Sequence, residues 1–105
     1  MRRVRLTAGA WSSEAEQATT FIDRFRGLRA LSPGARLLIE TRSVHTIGLP
    51  FSIAVVVIGR DGSVLDTRTL TRNRVLFHRL AQHILEVPHG SDLPALDSKV
   101  EIIDV

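Results

Sequence analysis

The firmest hydrophobic pattern in the chain is Phe51-Ser-Ile-Ala-Val-Val-Val-Ile58, where β-branched residues occupy both alternating sets of positions. A strand with apolar side chains on both faces belongs inside a core, covered above and below. Asp61-Gly62 follows, the favoured composition of a two-residue hairpin turn, and leads into Ser63-Val-Leu-Asp-Thr-Arg-Thr-Leu70. Pairing Arg60 with Ser63 sets Val57 opposite Asp66 and Val55 opposite Arg68, so one end of that face is expected to be partly wet.

Weaker patterns surround this hairpin. Residues 4–8 and 15–18 are sparsely patterned and read as short edge strands. Ser32-Pro-Gly34 has turn chemistry, and Arg36-Leu-Leu-Ile-Glu40 after it suits a strand. Residues 81–87 and 99–104 read as two further strands, with Gly90-Ser-Asp-Leu-Pro94 as the turn between them. Residues 71–79 are basic around an apolar centre, Val75-Leu-Phe77, and are expected to form a loop laid over the sheet.

One segment departs from strand spacing. Thr20-Phe-Ile-Asp23 is a helix-start box, Phe21, Ile22, Phe25 and Leu28 follow helical spacing, and Gly27 suits a left-handed stop. A helix of two turns, at about residues 21–26, is marginal alone and needs a sheet to pack on. The elements together predict one domain over residues 1–105, mainly β, an antiparallel β barrel or sandwich with one short α-helix.

Composition narrows the function classes. At 105 residues, 44% hydrophobic and 24% charged, the chain fits one globular core. Cysteine is absent, which removes disulfides, thiolate metal ligands and cysteine nucleophiles by inventory. The basic start, Met1-Arg-Arg-Val-Arg5, precedes a stretch too short and mixed for a signal sequence, so the expected location is cytoplasmic. No apolar run approaches the length of a membrane span, the longest being residues 53–58.

The formal charge of +3 comes from thirteen arginines and Lys99 against eleven acids. Residues 60–79 carry five arginines against two aspartates, whereas residues 80–105 carry Lys99 against five acids. With four Phe, one Trp and no Tyr, the chain has few stacking partners for bases, which argues against nucleic-acid binding.

Candidate chemistry is sparse. The histidines at 45, 78, 83 and 89 lack the paired spacing of metal ligands, so no metal or cofactor is expected. Phosphate-cradling loops and a Gly-x-Ser-x-Gly elbow are also missing. Ser43, His45 and Thr46 form a polar cluster entering the buried hairpin; they suit a pocket mouth, or else satisfy backbone groups at a turn. Glu40 and Glu86 lie in strand-like runs and are expected to face solvent or bond arginine. The arginines at 24, 26, 72, 74 and 79 suit anion recognition or a solvated surface.

Ala18-x-Thr20, Arg24-x-Arg26-Gly-Leu28, Ser43-Val-His-Thr46, Gly48, Phe51, Asp61-Gly62-x-Val64 and Ile84-Leu-Glu86 followed by Gly90 occur in an order that resembles the bacterial family called domain of unknown function 192. The likeness runs roughly from residue 3 to residue 104. It implies a compact, mainly antiparallel β barrel or sandwich with a short helix, and supplies no reaction. Where that family shows Pro, an apolar residue and Asp after the aromatic, this chain has Ser52-Ile-Ala54, so the resemblance is to a divergent member that lacks the acidic group.

Three functions follow as expectations. First is a non-catalytic binding or accessory module, presenting Arg24, Ser43, His45, Thr46 and Glu86 to a small ligand or protein partner. Second is a small hydrolase or isomerase, with His45 as general base and Glu86 as its partner. Third is an arginine-mediated nucleic-acid contact through residues 68–79. Open sheet edges add a homodimer through an edge strand as a partner expectation.

Overall fold

Alternation of charge and aliphatic side chains organises the start of the chain. Arg2–Ala8 (β1) and Trp11–Gln17 (β2) form a full antiparallel hairpin, turning at Gly9 with φ of 61°. Val4, Leu6, Ser13 and Ala15 are buried on one face. On the other, Arg3 and Arg5 meet Glu14 and Glu16 at 2.9 to 3.4 Å. The computed structural model that shows this describes residues 2–18 and 34–105. The helix expected at residues 21–26 lies outside the described residues.

The remaining strands are Leu37–Ile39 (β3), Ser43–His45 (β4), Ile53–Gly59 (β5), Val64–Leu70 (β6), Val75–Phe77 (β7), Ala81–Pro88 (β8) and Glu101–Asp104 (β9). Among the described residues, seven of the nine strands make one sheet in the order β6-β5-β8-β3-β2-β1-β9. Its neighbours all run antiparallel except β2 with β3, which are parallel. β1 and β2 are interior strands, not the edges expected; the edges are β6 and β9. Among the described residues no helix is long and apolar enough to cross a membrane.

β5 is the longest strand buried throughout, as its doubly apolar sequence requires: every residue from Ile53 to Gly59 is buried. Ile53 lies opposite Leu70 and Pro88, and the interior register Val57↔Asp66 and Val55↔Arg68 is as expected. The wet end of that face is confined to β6, where exposed Arg68 pairs with Asp66 at 2.9 Å, while Val55 opposite is fully buried. The turn differs from the two-residue form. Gly62 N donates to the Gly59 carbonyl at 3.0 Å, Gly59 N donates to the Ser63 carbonyl at 2.9 Å, and a bulge lies between Val57 and Ile58. Gly62 takes the positive φ, 87°, that closes such a bulged turn.

Two apolar clusters lie on the two faces of the sheet. One gathers Val4, Leu6, Ala15, Leu38, Val56, Ile58, Val64, Leu85 and Val100. The sheet curls around it until its two margins meet at one point, the bridge between Ser63 and Lys99. Val64 N donates to the Ser98 carbonyl and Val100 N to the Gly62 carbonyl there, at 2.9 and 2.8 Å. No ladder continues from that bridge, so the sheet stays open and does not close into a barrel. Residues 90–94 therefore lead away from β8 rather than turning back on it, since β9 pairs with β1.

The second cluster contains Leu37, Ile39, Ile53, Val55, Val57 and Ile84 from the large sheet, together with Val44 and Leu76. Those last two come from a separate two-stranded ribbon in which β4 pairs antiparallel with β7. The ribbon packs on that face through these two side chains as a separate two-stranded sheet. The loop expected over residues 71–79 is in part this strand. Val75-Leu-Phe77 alternates exposed, buried, exposed, the signature of a strand with one face on a core.

Candidate functional site

Strand alternation fixes what the ribbon shows to solvent. Val44 and Leu76 point inward, so Ser43 and His45 on β4, and Val75 and Phe77 on β7, lie on the outer face. Ser43 is opposite Phe77 and His45 opposite Val75. Phe77 is 67% exposed and Val75 65%. Each end of the ribbon adds another apolar group, Ile47 after β4 and Leu80 after β7, both more than half exposed.

The ends are tied by backbone bonds. His78 N donates to the Arg42 carbonyl at 2.9 Å, and Thr46 N donates to the Arg74 carbonyl at the same distance. Thr46 itself is fully buried: its Oγ1 donates to the Thr71 carbonyl at 2.6 Å and accepts from Arg74 N at 2.8 Å. The Thr46 side chain thus satisfies backbone groups of the 71–74 turn, where Asn73 takes a positive φ. Of the two readings of the polar cluster, Thr46 follows the backbone-satisfying one, while Ser43 and His45 are left facing outward.

Charge is concentrated on the same element. Residues 41–49 and 71–80 contain Arg42, Arg72, Arg74 and Arg79 and not one acid, while the other ten basic residues of the chain face eleven acids. The whole excess of positive charge therefore resides on the ribbon and its turns. All four arginines are exposed. Elsewhere Arg2, Arg3, Arg5, Arg68 and Lys99 make ion pairs with Asp104, Glu14, Glu16, Asp66 and Asp61, but among the described residues none of the ribbon arginines does.

Glu86 sits elsewhere. It lies on β8 between Val55 of β5 and Leu37 of β3, on the face that carries the second cluster, and is only 5% exposed. Of the two expectations for this carboxylate, facing solvent or bonding arginine, burial overturns the first. Burial disfavours its charged form and pushes its carboxyl up to about 7. Glu40, by contrast, is exposed just beyond β3, where its charge partly offsets the burial that holds half-buried His83 below the usual histidine range.

His45 lies on the solvent face of the ribbon, whereas Glu86 is buried on the face of the large sheet that carries the second cluster. The structure therefore brings Ser43 and His45 together and leaves Glu86 apart from them; Arg24 lies outside the described residues. Among the described residues no three side chains of His, Asp and Glu gather as a metal site would need. What the sequence reading missed is the apolar pair on the ribbon's outer face, Val75 and Phe77, with exposed Ile47 and Leu80 beyond its two ends. No alternation in the sequence signals it, because Val75, Leu76 and Phe77 are all apolar; only their pairing with residues 43–45 reveals it.

No family model matches the sequence, and no curated protein matches it. Solved structures do resemble the fold. A provisionally assigned transcription regulator from Sinorhizobium meliloti 1021 superposes with a TM-score of 0.70 at 20% identity, covering 95% of this chain and 92% of its own. A protein of unknown function from Novosphingobium aromaticivorans DSM 12444 superposes with a TM-score of 0.71 at 16% identity, covering 94% and 83%. At such identities the likeness is one of architecture. This chain is thus a small, mainly β domain whose fold recurs in other proteins.

Proposed function

We propose that the chain is a non-catalytic binding module that engages its partner through the outer face of the β4–β7 ribbon. The observation carrying this reading is the exposure of Val75 and Phe77 beside Ser43 and His45 on one face of a ribbon anchored from below. Isolated exposed apolar residues are ordinary, but a contiguous set rimmed by polar groups marks an interaction surface. The separation of His45 from Glu86 favours binding over acid-base catalysis, because a general base needs its partner within hydrogen-bond reach.

We also propose kinship with domain of unknown function 192, supported by the order of Ser43-Val-His-Thr46, Gly48 and Asp61-Gly62 along the chain, a kinship that brings no activity of its own. Pairing of two copies through β6 or β9 is a weaker competitor, since Asp66 and Arg68 on one edge and Glu101 and Asp104 on the other place charges where an added strand would lie.

Amide chemical-shift perturbation against a library of small polar and aromatic fragments tests the proposal. Shifts clustered on Ser43, His45, Val75 and Phe77 are expected. Scattered shifts, or a cluster around Glu86 alone, would overturn it.

A further inference from the structure

We infer that the ribbon's partner is an acidic segment of another protein, one that carries carboxylates on both sides of apolar side chains. The inference rests on the reading of this face as a binding surface, and goes further by fixing the chemistry of the occupant.

Charge decides the sign. Arg42 and Arg79 stand toward one end of the ribbon and Arg72 and Arg74 toward the other, with no acid in either flanking segment. Four exposed guanidinium groups without ion-pair partners among the described residues present forks suited to carboxylates. Between these ends lie Val75 and Phe77, bordered by Ile47 and Leu80. The pattern is an apolar centre with a cationic rim, and its complement is an apolar centre with an anionic rim.

Two other occupants fit less well. A second copy docked by the same face would set four arginines against four arginines, a like-charge arrangement that suppresses pairing. A single-stranded nucleic acid would satisfy the arginines but needs aromatic platforms for its bases, and this face has one, Phe77, beside Val75, with exposed Ile47 and Leu80 beyond the strand ends. Aliphatic groups instead match the leucine-like anchors of a peptide.

The test uses the full chain, isotope-labelled, titrated with three probes. These are a synthetic peptide alternating Glu or Asp with Leu and Phe, the same peptide with every acid changed to its amide, and oligothymidine. The acidic peptide is expected to shift amides confined to residues 42–48 and 72–80, to bind about tenfold or more tighter than its amide counterpart, and to weaken as salt is raised. R72Q/R79Q and F77S, all at exposed positions, should each weaken it while leaving the remaining spectrum in place. Equal binding of the amide peptide, or tighter binding of oligothymidine, would overturn the inference. Fragment shifts on the ribbon with no response to the acidic peptide would overturn the acidic partner alone. Silence from both fragments and peptides would overturn the binding face as well.

Discussion

Thr46 Oγ1 donates to the Thr71 carbonyl at 2.6 Å and accepts from Arg74 N at 2.8 Å, so one buried hydroxyl clasps both sides of the turn that leads into β7. The isosteric change T46V removes the hydroxyl and leaves two backbone groups without their partner. A loss of about 1–2 kcal/mol is expected, read as a lower midpoint in denaturant unfolding, whereas T46S should cost under about 1 kcal/mol. A larger loss in T46S than in T46V would show that Thr46 acts by packing instead.

The alternation along β7 gives opposite outcomes at adjacent positions. Leu76 is 4% exposed within the second cluster, and L76A should cost about 2–5 kcal/mol. F77S, one residue on, should change stability by no more than about 0.5 kcal/mol. Thermal unfolding of the two variants side by side checks this. A large loss in F77S would mean that the outer face is covered.

Glu86 makes stability depend on pH in an unusual direction for a carboxylate. Its carboxyl is raised from 4.5 to about 7, so the folded form holds a proton that the unfolded form releases over that interval. The stabilising contribution is complete below about pH 4.5 and is lost as pH rises through about 7. The amount is on the order of 3 kcal/mol. His83, held low by burial, works in the reverse sense, its contribution growing as pH rises through the histidine range. Comparing the native chain with E86Q between pH 4 and pH 9 isolates the carboxyl, since the amide does not titrate: E86Q should gain on the native chain as pH rises. A constant difference between the two would contradict the buried placement.

Gly62 meets the segment before β9 more closely than any side chain allows. A Cβ there would lie 2.7 Å from the Val100 carbonyl oxygen, and the φ of 87° disfavours other residues independently. G62A should therefore cost about 2 kcal/mol or more. Gly90 has the same backbone sign, φ of 88°, but open space around it, so G90A should cost only the conformational part, about 1 kcal/mol. The gap between the two, measured by chemical denaturation, reports the close approach at the sheet margin.

The strands whose pattern is local were legible in the sequence. β5 announces itself by apolar residues at both sets of alternate positions, and the β5–β6 register follows from the turn between them even though that turn is bulged. Strand neighbours were not legible. Nothing in residues 2–8 says that β1 lies between β2 and β9, because partner choice depends on how distant segments share a core. The ribbon was missed for the same reason: three residues at 75–77 are too few for a pattern to stand out, and only their pairing with residues 43–45 reveals it. Thr46 and Glu86 stood out by residue type, but burial gave them different meanings, a turn clasp in one case and a carboxyl whose charged form is disfavoured in the other.

The seam between β1 and β9 sets Val4 opposite Asp104, so residues about a hundred positions apart must find each other before the sheet is whole. Such a closure is expected to come late on the folding path, after the hairpins β1–β2 and β5–β6 have formed from near neighbours. The chain should accordingly fold on the slow, millisecond-to-second scale of β topologies rich in distant contacts. It also follows that these two terminal strands lie side by side, where a short linker could join them and a cut in the 89–94 segment could supply new ends, giving a circular permutant with every strand pairing retained.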